Sequence, residues 1–258
     1  MEGAAEQILL AGVETNRMGL TAPIALLIKF PGTNCDRETA RALESVGFSA
    51  KIRPVAVVGP QDLKDCQLVV LPGGFSYGDY IMAGRLAELE LERRLAGTLK
   101  DYYAAGGHVL GICNGFQILV GTGLLPESSL VNNVSGRFVC RWTPLTVVPG
   151  NNAFLQGLPE KIELPVAHAE GRLVTREPEL AKQYREQGYV ALTYGENFNG
   201  SFEAIAGLQD AEGRVLGLMP HPERFTERRQ HYDAGWNRAE KGWGHYVFAS
   251  IRKRLREG

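Results

Sequence analysis

The chain has little of several features that mark out large protein classes, and each shortage narrows what it can be. Its 258 residues include only four cysteines, Cys35, Cys66, Cys113 and Cys140, with no C-x-x-C pair, which argues against a disulfide framework or a structural zinc site. Charge of one sign is not in excess. The 28 basic and 29 acidic residues leave a formal net charge of −1, so no long-range field points to a nucleic acid or a membrane surface. Long hydrophobic runs are missing too, none approaching the ~20 apolar residues of a membrane-spanning helix. No P-loop G-x-x-x-x-G-K-[ST] occurs, no acidic magnesium cluster stands out, and the richest glycine turn lacks the G-x-G-x-x-G order of a dinucleotide site. The expectation is a cytoplasmic protein with no nucleotide, metal or cofactor on this chain. Residues 1–23 carry Glu2, Glu6 and Glu14 around a short apolar stretch at 8–13, with no basic run before it. They are expected to be a flexible extension or a short capping helix, not a targeting signal.

What is present begins with GHVLGICNGFQILVG at 107–121. Val109, Leu110 and Ile112 read as a buried strand and 114–120 as the first turns of a helix, so Cys113 sits on the turn between them. Gly111 and Gly115 bracket it and are expected to absorb the strained backbone of a strand-to-helix elbow. At a helix N-terminus the thiol meets unpaired N–H groups and the helix dipole, which suit a nucleophile and a developing oxyanion. Cys35, Cys66 and Cys140 are expected to be small buried residues.

A cysteine nucleophile needs a base. In VLGLMPHPERF at 215–225, Pro220 and Pro222 hold His221 at a strand end, and Glu223 stands close enough to turn back onto the imidazole and select its tautomer. His168, in PVAHAEGR with Glu170 and Arg172 nearby, either lines the site or sits in a plain turn. His108 reads as a strand-edge residue, and His231 and His245 are given no chemistry. A second glycine turn, Pro72-Gly73-Gly74, ends the apolar run 68–71. Its backbone N–H groups are expected to supply half of an oxyanion hole, with the N–H of Asn114 as the other half.

The wider pattern alternates strands at 24–30, 50–55, 67–71 and 108–112 with helices at 36–46 and 81–104. This is the order of a parallel sheet covered on both faces, with its site at the carboxyl ends of the strands. The apolar residues Met82, Leu86, Leu89, Leu95, Leu99 and Tyr102 are expected to form the core stripe of one long helix. Beyond Gly136 the chain turns β-rich at 138–148, 189–194, 204–208 and 214–219, the last two as a hairpin, and 246–256 closes it as an amphipathic helix.

Together these motifs resemble the class I, triad-type glutamine amidotransferases. The segments FPGTNCDRET (30–39), PGGFSYGDY (72–80), GICNGFQIL (111–119), VAHAEGR (166–172) and MPHPERF (219–225) narrow the resemblance to the glutaminase subunits of phosphoribosylformylglycinamidine synthases, enzymes of purine biosynthesis. The resemblance implies a three-layer, flavodoxin-like α/β fold over 24–258, with a mostly parallel sheet and an antiparallel extension in the C-terminal half. It implies Cys113 as the nucleophile of a γ-glutamyl thioester with His221 and Glu223 as partners, Gly74 and Asn114 at the oxyanion, and Gly73, Gln117 and His168 at the substrate. It also implies a separate large ATP-dependent synthetase subunit, which uses the ATP and magnesium, and a small third subunit. Ala169 stands where the family usually has glycine, and residues 1–23 are extra. A stand-alone cysteine hydrolase of the γ-glutamyl or DJ-1-like type would share the elbow but not the segments at 30–39 and 75–80, and an inactive interaction subunit would not need all three triad positions filled. Exposed aromatics at 75–80 and 236–243 are the expected docking surfaces.

Overall fold

The computed structural model describes residues 22–79, 84–95 and 97–257, so the expectations for residues 1–21 and 80–83 lie outside the described residues. The first half of the chain forms β1 (Ile24–Lys29), α1 (Asp36–Glu44), β2 (Ser49–Pro54), α2 (Pro60–Lys64), β3 (Leu68–Leu71), α3 (Arg85–Leu95), α4 (Thr98–Ala104), β4 (His108–Ile112) and α5 (Asn114–Leu119). The second half adds β5 (Ser129–Val131), β6 (Val139–Val147), β7 (Lys161–His168), β8 (Arg172–Val174), α6 (Pro178–Glu186), β9 (Val190–Tyr194), β10 (Ile205–Gln209), β11 (Val215–Leu218) and α7 (Trp243–Glu257).

Nine strands make one mixed sheet in the order β2-β1-β3-β4-β11-β10-β9-β6-β7. The pairs from β2 through β11 are parallel, and those from β11 to β7 are antiparallel. Every residue of β3 and β4 is buried, as the uninterrupted apolar runs at 68–71 and 109–112 require of strands covered on both faces. Helices α1 and α7 pack together on one side, whereas α5 packs on β3, β4 and β11 and meets α3 on the other. The α/β expectation with an antiparallel extension therefore describes the fold.

The sheet is strongly curled. Five strand spacings separate β4 from β7 in the sheet order, a distance of about 24 Å if the sheet were flat. Yet the Cys113 thiol just after β4 lies 3.7 Å from the Ala167 carbonyl on β7, and the backbone N–H of His221 just after β11 donates to Pro165 O at 2.8 Å. The antiparallel half thus folds back over the carboxyl ends of the parallel strands, helped by irregular β9–β10 pairing at Gly207.

Several expectations are corrected. The single helix at 81–104 is two helices separated at Gly97, whose φ of 87° no helix allows. Its core face is Ala87, Leu91 and Leu95 at four-residue spacing, then Leu99; Leu86 and Leu89 fall off that face and are exposed. The segment ending at His168 is a strand, not a loop; Pro165 masks it in sequence but is tolerated because β7 is the edge strand. The 236–243 stretch does not expose its tryptophans. Trp236 and Trp243 are buried, stacked edge-on at 5.6 Å, with Trp236 also against Phe225; the exposed large aromatic nearby is Tyr232, just before this stretch. Cys35 and Cys66 are buried as expected, but Cys140 is exposed.

Candidate active site

The elbow is built as the sequence implies, with one reassignment of the strain. Cys113 has φ 51° and ψ −106°, while Gly111 and Gly115 are absent from the residues with positive φ. The cysteine itself holds the strained backbone, at a cost on the order of 1–3 kcal/mol. The two glycines serve close packing instead: a Cβ on Gly111 would sit 2.7 Å from Gly115 O, and one on Gly115 would collide with the Leu71 carbonyl. The Cys113 N–H donates to Leu218 O at 2.8 Å, and its own carbonyl accepts from the N–H of Phe116 and Gln117, starting α5.

His221 and Glu223 follow β11 on a short turn flanked by the two prolines. Their side chains are almost wholly buried, and Nδ1 of His221 lies 2.6 Å from Oε1 of Glu223. With Nδ1–H given to the carboxylate, Nε2 is left buried without a partner, free to accept a proton. Burial alone would push this imidazole down. The Glu223 carboxylate and the Cys113 thiol outweigh it, with help from Cys35, and hold the pKa well above the usual histidine range. Gly73 is where the ring packs on the backbone, since a Cβ there would lie 2.9 Å from Cε1 of His221.

The second glycine turn is braced by the segment at 30–35. Thr33 bridges to Gly74, Phe75 N–H donates to Gly32 O, and Cys35 N–H donates to Gly73 O. Gly74 has φ 151°, and a Cβ there would meet Thr33 Cα and Asn34 N at 2.7 Å. The segments at 31–35 and 73–77 are therefore two sides of one structure.

A cavity of about 250 Å³ opens beside the thiol, lined among others by Gly74, Phe75, Cys113, Gln117, Phe138 and His168. Gln117 does line it, but its amide is engaged at both ends: Oε1 accepts from Asn114 Nδ2 at 2.9 Å and Nε2 donates to the Glu170 carbonyl at 2.6 Å. It ties α5 to the β7–β8 turn. His168 ends β7, and its Nδ1 lies 3.1 Å from Asn133 Oδ1. Asn133 Nδ2 donates to the carbonyls of Arg137 and His168, which orients its Oδ1 as the acceptor of His168 Nδ1–H. Nε2 of His168 is then a buried, unpartnered acceptor. Burial, reinforced by the charge of His221, takes this imidazole down to about 4, so it is neutral. Ala169 does not need a glycine's freedom, because its φ is not positive.

Sequence reasoning missed Asn133, whose role is set by contacts 35 residues away, and the placement of Cys35 beside His221. His108 begins β4, as expected, and is buried. It lines a larger cavity of about 530 Å³ with Leu63, Tyr102 and Leu255, at the opposite end of β4 from Cys113.

Comparisons with known proteins give the family of the chain. Residues 22–253 match the model of the CobB/CobQ-like glutamine amidotransferase domain. The chain is 40% identical to the phosphoribosylformylglycinamidine synthase subunit PurQ of Dehalococcoides mccartyi over 80% of its own length and 87% of that protein. It is 43% identical to the subunit of the same name from Thermotoga maritima, over 80% and 89%. In the solved structure of PurLQS from Thermotoga maritima, one chain superposes with a TM-score of 0.76 at 37% identity, covering 91% of this chain and 99% of that one. The chain belongs to the CobB/CobQ-like glutamine amidotransferase family, within its branch of phosphoribosylformylglycinamidine synthase PurQ subunits.

Proposed function

We propose that this chain hydrolyses glutamine to glutamate and ammonia and delivers the ammonia to an ATP-dependent synthetase, which converts formylglycinamide ribonucleotide to formylglycinamidine ribonucleotide in the cytoplasm. The observation that carries the reading is a buried cysteine on a positive-φ elbow opening into a cavity, beside a histidine locked to a carboxylate at 2.6 Å. Sγ of Cys113 attacks the side-chain carbonyl carbon of glutamine while His221 Nε2 takes the thiol proton. The oxyanion forms against the N–H groups of Gly74 and Asn114. His221 returns the proton to the departing nitrogen, which leaves as ammonia, and a γ-glutamyl thioester remains on Cys113. Water, deprotonated by the same imidazole, then attacks the thioester; Sγ leaves, takes back a proton, and glutamate is released. Glu223 holds the tautomer and stabilises the imidazolium.

ATP and magnesium belong to the partner in this reading. The large synthetase subunit and a small third subunit are the partners, consistent with a relative solved as PurLQS. The rim of the pocket supports a docked partner: Phe75 and Phe138 are about half exposed with ring centroids 6.2 Å apart, and Val134 is exposed as well. Glutamate release from glutamine, measured with and without the synthetase, tests the reading. Low activity alone and a rise on adding the synthetase are expected. Full turnover by the isolated chain, unchanged by the synthetase, identifies a stand-alone hydrolase instead.

A further inference from the structure

Among the described residues, one group of potential metal ligands gathers closely: Cys35, His221 and Glu223, all buried, whose ligand atoms lie within 4.8 Å of one another. Cys35 comes from the loop before α1 and the other two from the turn after β11, so the fold brings the group together. Thiolate, imidazole and carboxylate are the donor set of a borderline-soft, tetrahedral ion such as Zn²⁺. Its bond lengths place ligand atoms about 3.3–3.8 Å apart, so the donors need to shift by no more than roughly 1 Å. Glu223 keeps a second carboxylate oxygen, Oε2, buried and unpartnered.

One contact suits a bound thiolate: Arg224 Nη2 donates to Cys35 Sγ at 3.1 Å. Without a metal the sulfur is a thiol, raised in pKa by burial and donating to Asn34 Oδ1 at 3.3 Å, so binding must displace that proton. The Arg224 charge is offset by Glu38, whose Oε1 is 3.2 Å from Nε, so the guanidinium does not simply repel a cation. It serves as an outer donor to the sulfur.

We propose that Cys35, His221 and Glu223 form an inhibitory site for a thiophilic divalent cation of the zinc class, which stops glutamine hydrolysis by taking the base His221 and its carboxylate out of the triad. Cys35 binds as a thiolate, releasing its proton to solvent, and His221 binds through a ring nitrogen freed of its proton. The inhibitory consequence rests on the glutaminase reading above; the metal site itself does not.

Co²⁺ is the probe, added to the full-length chain, with the thiolate-to-cobalt charge-transfer band as a readout independent of activity. The band is expected at one equivalent in wild type and in Cys113→Ala, and both Cys35→Ser and Cys35→Ala should weaken binding by more than about tenfold. Zn²⁺ should compete the band away. In the assembled enzyme, Zn²⁺ should suppress glutamine-dependent but not ammonia-dependent synthesis, reversibly on chelation. A band lost in Cys113→Ala places the ion on the nucleophile and overturns the proposal, as does one that survives both Cys35 substitutions or is absent from wild type. Should Cys35→Ser fail to fold, the Cys113→Ala spectrum still decides. Cobalt binding without zinc inhibition of glutamine-dependent synthesis overturns the inhibitory role, whereas a failure of the glutaminase reading shows separately, as no glutamine-dependent synthesis before zinc is added.

Discussion

The parallel strands β3, β4 and β11 and the antiparallel strands β6, β7 and β9 meet around one pocket but bring different things to it. Two of the parallel strands end in tight turns that carry reacting groups or backbone donors: Gly74 after β3, Cys113 after β4, with His221 and Glu223 a few residues beyond β11. The antiparallel half supplies a wall, His168 and Ala167 on β7, oriented by Asn133 just after β5. Two histidines express the contrast. His221 is held well above the ordinary range, its burial outweighed by Glu223 and Cys113, which makes it the stronger proton acceptor of the two; His168 is pushed down to about 4, chiefly by burial, so it carries no charge, donates Nδ1–H to Asn133 and leaves Nε2 to accept. In the proposed reaction proton transfer falls to the parallel half, and the antiparallel half adds a neutral hydrogen-bonding wall to the pocket.

That division is open to direct attack. Cys113→Ala should reduce glutamine-dependent synthesis by a factor on the order of 10⁴ to 10⁶, because the thioester cannot form. Ammonia supplied in place of glutamine should restore synthesis, and comparing the two nitrogen sources checks both halves of the claim. His221→Ala should come close to the same loss in glutamine turnover, whereas Glu223→Gln should cost about 10²- to 10⁴-fold, since only tautomer selection and imidazolium stabilisation are lost. Near-normal turnover in His221→Ala would move the base to His168.

On the other wall the effect should change character. His168→Ala should raise KM for glutamine about tenfold, the value of one lost hydrogen bond, and leave kcat within a few-fold. A collapse of kcat at unchanged KM would erase the division. Acid stability sharpens it further. His168 and His108 are both lowered to about 4, by burial first and then by neighbouring positive charge, against an ordinary value of 6.5. Between those values the unfolded chain binds more protons than the folded one, so stability falls as pH drops from 6.5 towards 4. For His168 the loss is on the order of 3 kcal/mol. Denaturant midpoints for His168→Asn should decline less over this window than those of wild type. The smallest effect expected is Ala169→Gly, within about 1 kcal/mol in stability, because the backbone there does not require glycine.

The two halves also differ in how far their structure could be read beforehand. In the parallel half β3, β4 and β11 are short, fully buried runs ended by a local signal, Pro72-Gly73, the glycine-bracketed Cys113 and Pro220, and Gly74, Cys113 and His221 stand at those ends. The triad needed no long-range information beyond the α/β order. In the antiparallel half β7 was hidden by Pro165, which reads as a strand breaker unless its edge position is known. The coupling of His168 to Asn133 and the contact of Cys35 with Arg224, 189 residues apart in sequence, have no local signal at all. Cys35 read as a small buried residue, which it is; its neighbours are what composition could not reveal. The tryptophans of 236–243 sat in a polar stretch that looked exposed, but mutual ring packing with Phe225 buries them.

Covalent trapping tests the account at its centre. A glutamine-mimicking electrophile should modify the full-length chain once, and peptide mass spectrometry should place the adduct on Cys113 alone among the four cysteines. The competitor that matters is Cys35, which shares His221 as a neighbour but lacks the elbow and does not line the pocket. Labelling of Cys35, or labelling spread evenly over Cys35, Cys66 and Cys140, would contradict the assignment of the chemistry to the β4 elbow.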